Sequence, residues 1–475
     1  MRLLKDETFA ALPAERPSEA LSLLEAEAKA FGRKIAVLDD DPTGVQTVHG
    51  VSVYTSFEVS ALLEAFGEPS RLFFLLTNSR GLPAVESQAL HEQIAQNLLL
   101  ASAQAGKDFV LISRSDSTLR GHYPLETETL RKTIEAAGKK RFSGEILLPY
   151  FKEGGRFTLN DVHYVLEGQD LVPAGETEFA GDKTFGYASS DLKAWVEEKT
   201  AGSFLAKDCV SISLGELRAL DVEGIANKLI QTEGFQKVVV NACADGDVWV
   251  FCAALMRAFA AGKEFLLRTA AAVPKALGLI GEKPLLTRDE MRLPGENNGG
   301  LLIVGSHVQK TTAQLDALRL SALPLHFFEL DAALALSGGL TKRAEEICES
   351  CAALLAEGKS AAVYTSRQLV APEGLSAEGK LKLSLEIADA LTFIVARLPV
   401  RPGFLIAKGG ITSSEIGVKA LKVKKARVLG QILPGVPVWQ TGEGSRFPGL
   451  SLVVFPGNVG DESALLRAVE TLMGA

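Results

Sequence analysis

Apolar positions along the chain fall into short blocks, most of them closed by a polar turn. Ile35 to Leu38 is an apolar run suited to a buried strand, and Asp39-Asp40-Asp41-Pro42-Thr43-Gly44 follows it at once. Val51 to Thr55 reads as a second strand, and Arg71 to Leu76 as a third that ends in Thr77-Asn78-Ser79-Arg80-Gly81. Leu90 to Ala105 has helical spacing. Asp108 to Ile112 is a fourth strand, ending in the polar stretch from Ser113 to His122. Glu145 to Leu148, Val210 to Ile212 and Lys237 to Asn241 continue the series. Strands that alternate with helices predict an α/β fold with a largely parallel sheet flanked by helices. Ahead of them, residues 1–33 read as a helical extension. Its amphipathic stretch from Ser18 to Phe31 suits a cap or a homodimer contact.

Residues 281–300 are rich in Gly, Pro, Asn and charge without periodicity, and read as a linker between a first domain at 34–280 and a second at 301–475. The alternation then restarts. Leu301 to Val304, Leu325 to Glu329, Ala361 to Tyr364, Gly403 to Ala407 and Leu452 to Phe455 are the expected strands.

Candidate chemistry sits in the turns. Ligands of open α/β sheets bind at the carboxyl ends of strands, so three polar turns on one sheet predict one crevice. The first supplies Asp40 and Asp41, the second Asn78 and Arg80, the third Arg114, Asp116 and Arg120. Guanidinium forks bind carboxylates and aspartates accept from hydroxyls, which together describe a pocket for a small hydroxylated acid. Each turn alone also fits a helix cap or a local ion pair. Pro149 to Tyr164 reads as a polar, Gly-containing loop able to cover a site; His163 and Tyr164 fit a place in that site or, the preferred reading, a satisfied structural pair. In the second half, Gly305-Ser306, Lys408-Gly409-Gly410 and Pro456-Gly457 turn from strand to helix, where glycine lets backbone N–H groups approach a phosphate. Neither a Walker A motif nor GxGxxG occurs.

Composition narrows the partners. The 475 residues carry a net charge of −8 without a long basic run, which argues against nucleic acid. The five cysteines are scattered and fit a reducing compartment; Cys348 and Cys351, spaced CxxC in a helical stretch, read as core packing. No histidines are paired at zinc-ligand spacing, so no protein metal site is expected. No signal-like block and no long apolar span is present, so the expectation is a cytoplasmic protein without membrane contact.

Taken together these blocks resemble the four-carbon acid sugar kinase family over nearly the whole chain. The resemblance rests on Asp40-Asp41-Pro42-Thr43-Gly44, Asp116 to Gly121, Gly155-Arg156 through Val162-His163-Tyr164, Gly305-Ser306, Gly409 to Ser413 and Gly457 to Gly460. It implies a sugar-acid-binding domain followed by an ATP-binding domain, with the active site in the cleft between them. It also implies Mg²⁺-dependent transfer of a phosphoryl group from ATP to a hydroxyl of a tetronate, 3-oxo-tetronate or related branched acid. Asp40 or Asp41 would act as base or orienting group. Thr43, Gly44, Asn78, Arg80, Asp116, Arg120 and Gly121 would bind the acid, with Arg80 and Arg120 on its carboxylate. Ser306, Gly409, Gly410, Ile411, Thr412 and Gly457 would hold the nucleotide. The chain departs from the family pattern at Asp39, a third acid before the usual pair, at His307-Val308 and at Ile411. Two rival readings remain. One is a haloacid-dehalogenase-type phosphatase using Asp39 and Asp41, with Asp245 and Asp247 as its later acidic turn; the other is a non-catalytic sugar-acid-binding protein.

Overall fold

The computed structural model describes residues 2–138, 140–367, 377–457 and 459–474, with backbone alone for 377–382. The chain divides into two compact units, Met1–Gly44 with Ser56–Gly281, and Val45–Thr55 with Glu282–Ala475.

The first unit is built on a parallel sheet. Its described strands run in the order Val210–Ile212, Gln236–Val240, Gly144–Leu148, Phe265–Thr269, Phe109–Arg114, Lys34–Asp39 and Leu72–Leu76. Every residue of the last three is buried, as expected for strands covered on both faces by crossover helices. The residue 1–33 extension is part of this unit. Its Pro17–Ala28 helix packs on the Asp245–Ala260 helix through Ala20, Leu24 and Ala28.

The polar stretch after Pro149 is not a loop. Arg156–Leu159 and Val162–Glu167 form an antiparallel hairpin, extended by Asp170–Pro173 and by Leu3–Leu4. Its two turn residues, Asn160 and Asp161, both have positive φ, 51° and 64°. That is the left-handed pair a two-residue hairpin turn needs, and Asn and Asp tolerate it best. Phe265–Thr269, which carries no strand signal of its own beyond a short apolar run, lies at the centre of the sheet.

The second unit has a mixed sheet. Ser52–Tyr54, Lys425–Leu433, Val436–Thr441 and Ser451–Phe455 pair antiparallel in that order. Leu405–Lys408, Leu301–Val304, Ser360–Thr365 and Leu325–Leu330 then continue in parallel. Two sequence expectations are corrected here. The Val51 to Thr55 strand belongs to this unit, not to the first: Val53 lies opposite Ala426, and the Val428 N–H donates to the Val51 carbonyl at 2.8 Å. A three-residue strand cannot reveal its partner in sequence; here it closes the open edge of a hairpin. Residues 281–300 are not a free linker either. Leu286 and Met291 are buried in this unit's core beside Leu302, Phe404 and Ile432, and the Leu286 N–H donates to the Gln431 carbonyl at 2.8 Å. Cys348 and Cys351 are buried, as the helical spacing predicts.

Candidate functional site

In the first unit the carboxyl ends of three neighbouring parallel strands meet at Asp39, Arg114 and Thr269, each in register with the next. Asp39 and Asp40 are buried, while Asp41 keeps partial exposure. Arg80 reaches back across the sheet end because Asn78 takes a left-handed φ of 51° and starts a tight turn. Its fork holds Asp40 by two bonds, Nε to Oδ2 at 3.2 Å and Nη2 to Oδ1 at 2.9 Å, and the same Nη2 lies 3.5 Å from Asp41 Oδ2. Arg114 Nη1 lies 3.4 Å from Asp39 Oδ1 and 3.8 Å from Asp40 Oδ1. Thr43 donates twice to Asp41 Oδ1, from its backbone N–H at 2.9 Å and its hydroxyl at 2.5 Å. Thr43 therefore shapes the acidic turn.

Three carboxyls face two guanidiniums, and the balance differs at each acid. Burial raises Asp39 to about 8; Arg114 opposes this, while Asp40 and Asp41 add to it. Burial also raises Asp40, against the pull of Arg80 and Arg114. At Asp41 burial is outweighed by Arg80 and the two Thr43 hydrogen bonds, so this carboxyl stays ionised. Gly44 is required by the same crowding: a Cβ there would lie 2.0 Å from the Asp39 oxygens.

Asp116 accepts from Arg120 Nε at 2.6 Å and from the Thr118 hydroxyl. Burial acts against its ionisation, but Arg80 and Arg120 prevail and hold it far below the usual carboxylate range. Arg120 also stacks on Phe179, with Arg156 against the same ring. Gly121, at φ 117°, brings the backbone up to Asp40: a Cβ there would be 3.4 Å from Asp40 Oδ2. His163 is fully buried with Nδ1 against the Thr158 hydroxyl and Nε2 against the Ser117 carbonyl. It is a structural residue, as expected.

The acids proposed for a phosphatase lie otherwise. A covalent nucleophile must be ionised and reachable, whereas Asp39 is 2% exposed and keeps its proton near neutrality. Asp247 accepts from the Cys243 and Ala244 N–H groups and pairs with Arg218; Asp245 accepts from Tyr150. They stabilise a helix start and its surroundings.

In the second unit the glycine turns converge. A Cβ on Gly457 would be 3.0 Å from Ser306 Oγ, one on Gly409 3.1 Å from Ser306 Cβ, and one on Gly305 2.4 Å from Thr412 Oγ1. Ser306 is thus the centre of a cradle that side chains would fill. The Thr311 hydroxyl donates to the Gly457 carbonyl at 2.9 Å, and its oxygen is hydrogen-bonded to the Ser306 hydroxyl at 3.2 Å. Lys408, fully buried, donates to the Pro456 and Gly457 carbonyls at 2.5 and 3.2 Å. Burial, helped by Lys310, lowers it to about 7. Gly410 opens the Gly410–Glu415 helix. Its neighbour Ile411 leaves its side chain exposed at 72%. Asn458 lies outside the described residues. Arg367 donates to the Ser306 carbonyl at 2.8 Å. Sequence reading had given no role to Lys408, Arg367 or Arg268, although the lone Arg in the apolar run from Phe265 to Thr269 was a visible signal.

No helix among the described residues is long and apolar enough to cross a membrane, and no group of three His, Cys, Asp or Glu side chains there is arranged to hold a metal. A nucleotide suits the second unit's cradle. Mg²⁺ would then be held mainly by phosphate oxygens and water, as is usual for that ion.

Comparison with known proteins gives two family matches. Residues 35–277 match a sugar-binding N-terminal domain and residues 301–465 a nucleotide-binding C-terminal domain. Among solved structures, a Salmonella typhimurium LT2 protein provisionally described as a tRNA synthase superposes with a TM-score of 0.66 at 18% identity, over 92% of this chain and 98% of its own. A Haemophilus influenzae protein of the DUF1537 family gives a TM-score of 0.61 at 17% identity, over 92% of this chain and 100% of its own. At such identities these two speak for the fold alone. No curated protein matches. With both domain models matched in order, and the first alone spanning more than half of its length, the chain belongs to the four-carbon acid sugar kinase family.

Proposed function

We propose that the protein is an ATP-dependent kinase that phosphorylates a hydroxyl of a small sugar acid, a tetronate, 3-oxo-tetronate or related branched acid. The observation that carries this reading is the presence, in one chain, of a sugar-binding domain with a buried Asp/Arg cluster and a nucleotide-binding domain with a glycine cradle around Ser306. Phosphoryl transfer asks the protein for positioning and charge neutralisation more than covalent chemistry. Asp41 orients the attacking hydroxyl and accepts its proton, since it is the ionised and most accessible of the three acids. Asp40 holds Arg80 in place, and Asp116 holds Arg120. Ser306, Gly409, Gly410, Ile411, Thr412 and Gly457 hold the ATP phosphates. Mg²⁺ bound with the nucleotide would supply neutralisation of phosphate charge. The free cysteines agree with a cytoplasmic setting.

The test is ADP release with Mg-ATP and a panel of tetronates, 3-oxo-tetronates and branched sugar acids. Turnover on one of them, lost in Asp41→Asn with ATP and acid still bound, is the expected result. Acid binding without any ADP release would replace the kinase by a binding protein.

A further inference from the structure

Every carboxylate of the first unit's cluster has a guanidinium partner, but not every guanidinium has a carboxylate. Arg80 is on Asp40, Arg114 on Asp39 and Arg120 on Asp116. Arg268 has no ion pair among the described residues, yet it is only 5% exposed. Its ring-like plane is held against Tyr123 and Trp195, 4.9 and 5.8 Å from their centroids. Nη2 donates to the Arg120 carbonyl at 3.3 Å, while Nη1 is buried with no partner. The adjacent Thr269 hydroxyl is likewise buried and unpartnered. Both residues line one cavity with Ser115 and Asp116, of about 10 Å³, room for a single oxygen-sized group. Asp116 brings no free charge there, because Arg120 and Thr118 already engage it.

An unpaired buried guanidinium is costly, and the orphaned donors of two residues that line one recess need an acceptor. We infer that Arg268, with Thr269, is the anchor for the carboxylate of the acid substrate, one of whose oxygens enters this recess. This rests on the sugar-acid reading above and reassigns the anionic group from Arg80, whose fork already holds Asp40, and from Arg120, whose Nε holds Asp116 and whose Nη1 lies 3.7 Å from Asp182. It also places the acid beside the cluster: a Cβ on Gly121 would lie 3.4 Å from Asp40 Oδ2 and 3.8 Å from Arg268 Nη2. A planar fork held against the stacked Tyr123 and Trp195 rings is preorganised for a carboxylate, which Lys could not replace. A neutral polyol would leave Nη1 without a charged partner, so the site selects acids.

The experiment is direct binding by calorimetry, without nucleotide, of erythronate, threonate and neutral erythritol to wild type, Arg268→Met, Arg268→Lys and Thr269→Val. A charge-assisted bond predicts affinity for the preferred acid about ten- to a hundredfold weaker in Arg268→Met and Arg268→Lys, with the acid-over-erythritol preference lost. Thr269→Val removes one hydroxyl without disturbing the aromatic stack, so it keeps the test valid if the Arg268 variants do not fold. It should weaken acid binding severalfold at unchanged melting temperature. An acid that binds wild type and the folded variants alike overturns the inference, as does a wild type that binds none of the acids. Arg268-dependent acid binding without ADP release would retain the anchor and remove the kinase.

Discussion

Arg80 grips Asp40 through two parallel donors, at 3.2 and 2.9 Å, although the two residues stand on neighbouring strand ends 40 positions apart. Asp40 is almost wholly buried. Burial raises its carboxyl while this fork and Arg114 pull the other way, so the pair is a fixed part of the site's floor. Breaking a buried pair from one side leaves an uncompensated charge, which costs about 3–5 kcal/mol. Arg80→Met should therefore lower unfolding free energy by about that much, measured by urea denaturation. Adding Asp40→Asn should recover part of the loss without recovering turnover. If Arg80→Met alone melts like wild type, the pair is not a structural element.

The glycine cradle makes a separable prediction. Gly409 has φ 119° and its missing Cβ would press on Ser306; the missing Cβ of Gly457 would press on the Ser306 hydroxyl. Gly409→Ala is thus strained by backbone and by space, at a cost of order 1–3 kcal/mol. It should weaken ATP binding about tenfold or more, while sugar-acid binding to the first unit stays within twofold. Calorimetry with a non-hydrolysable ATP analogue and with the acid, separately, checks both halves.

Lys408 fixes that cradle from beneath. It is a fully buried amine between two carbonyls, stacked at 4.2 Å on Phe455, with no carboxylate within ion-pair reach among the described residues. Lys408→Met keeps the volume but leaves the Pro456 carbonyl without its donor, a loss of about 1–3 kcal/mol. The expected outcome is a lower melting temperature and weaker ATP binding together. Unchanged ATP binding in a destabilised variant would confine Lys408 to packing.

Much of this architecture was legible because its signals are local. Fully apolar strands such as Ile35 to Leu38 and Leu301 to Val304 announce themselves, and the turns that close them carry the site. What was hidden depends on partners distant in sequence. The allegiance of Ser52–Tyr54 is decided by Lys425–Arg427, far along the chain. The order within 281–300 comes from Leu286 and Met291 meeting a core assembled elsewhere. The hairpin at Asn160-Asp161 could have been read from its turn residues, had the polar stretch around it not suggested a loop. At the site, residue types were visible but not their pairing. Arg80 looked available for a ligand because nothing near it in sequence shows that Asp40, 40 positions away, already holds it, whereas Arg120's partner Asp116 lies in its own turn, four positions before it. Arg268 escaped notice because its importance lies in the absence of a partner, which only the folded chain can display.

Asp39 gives the pH dependence. Its carboxyl is raised from the ordinary 3.8 to about 8, by burial first and then by Asp40 and Asp41, against Arg114. Between these two values the folded chain keeps a proton on Asp39 that the unfolded chain releases. Unfolding then sheds a proton, so the stability this residue contributes is complete below about pH 4 and declines as pH rises towards 8. Asp39→Asn mimics the protonated acid and cannot lose a proton. The variant should match wild type in melting temperature near pH 4 and exceed it increasingly up to pH 8, with the gap levelling off above. Asp40, also raised, and Asp41, lowered, titrate in both proteins, so the difference curve reports Asp39. Parallel melting curves for the two proteins across this window would mean that Asp39 is ionised in the fold. The third acid would then carry a full negative charge against Arg114, and the proton balance of the cluster would have to be assigned to Asp40 instead.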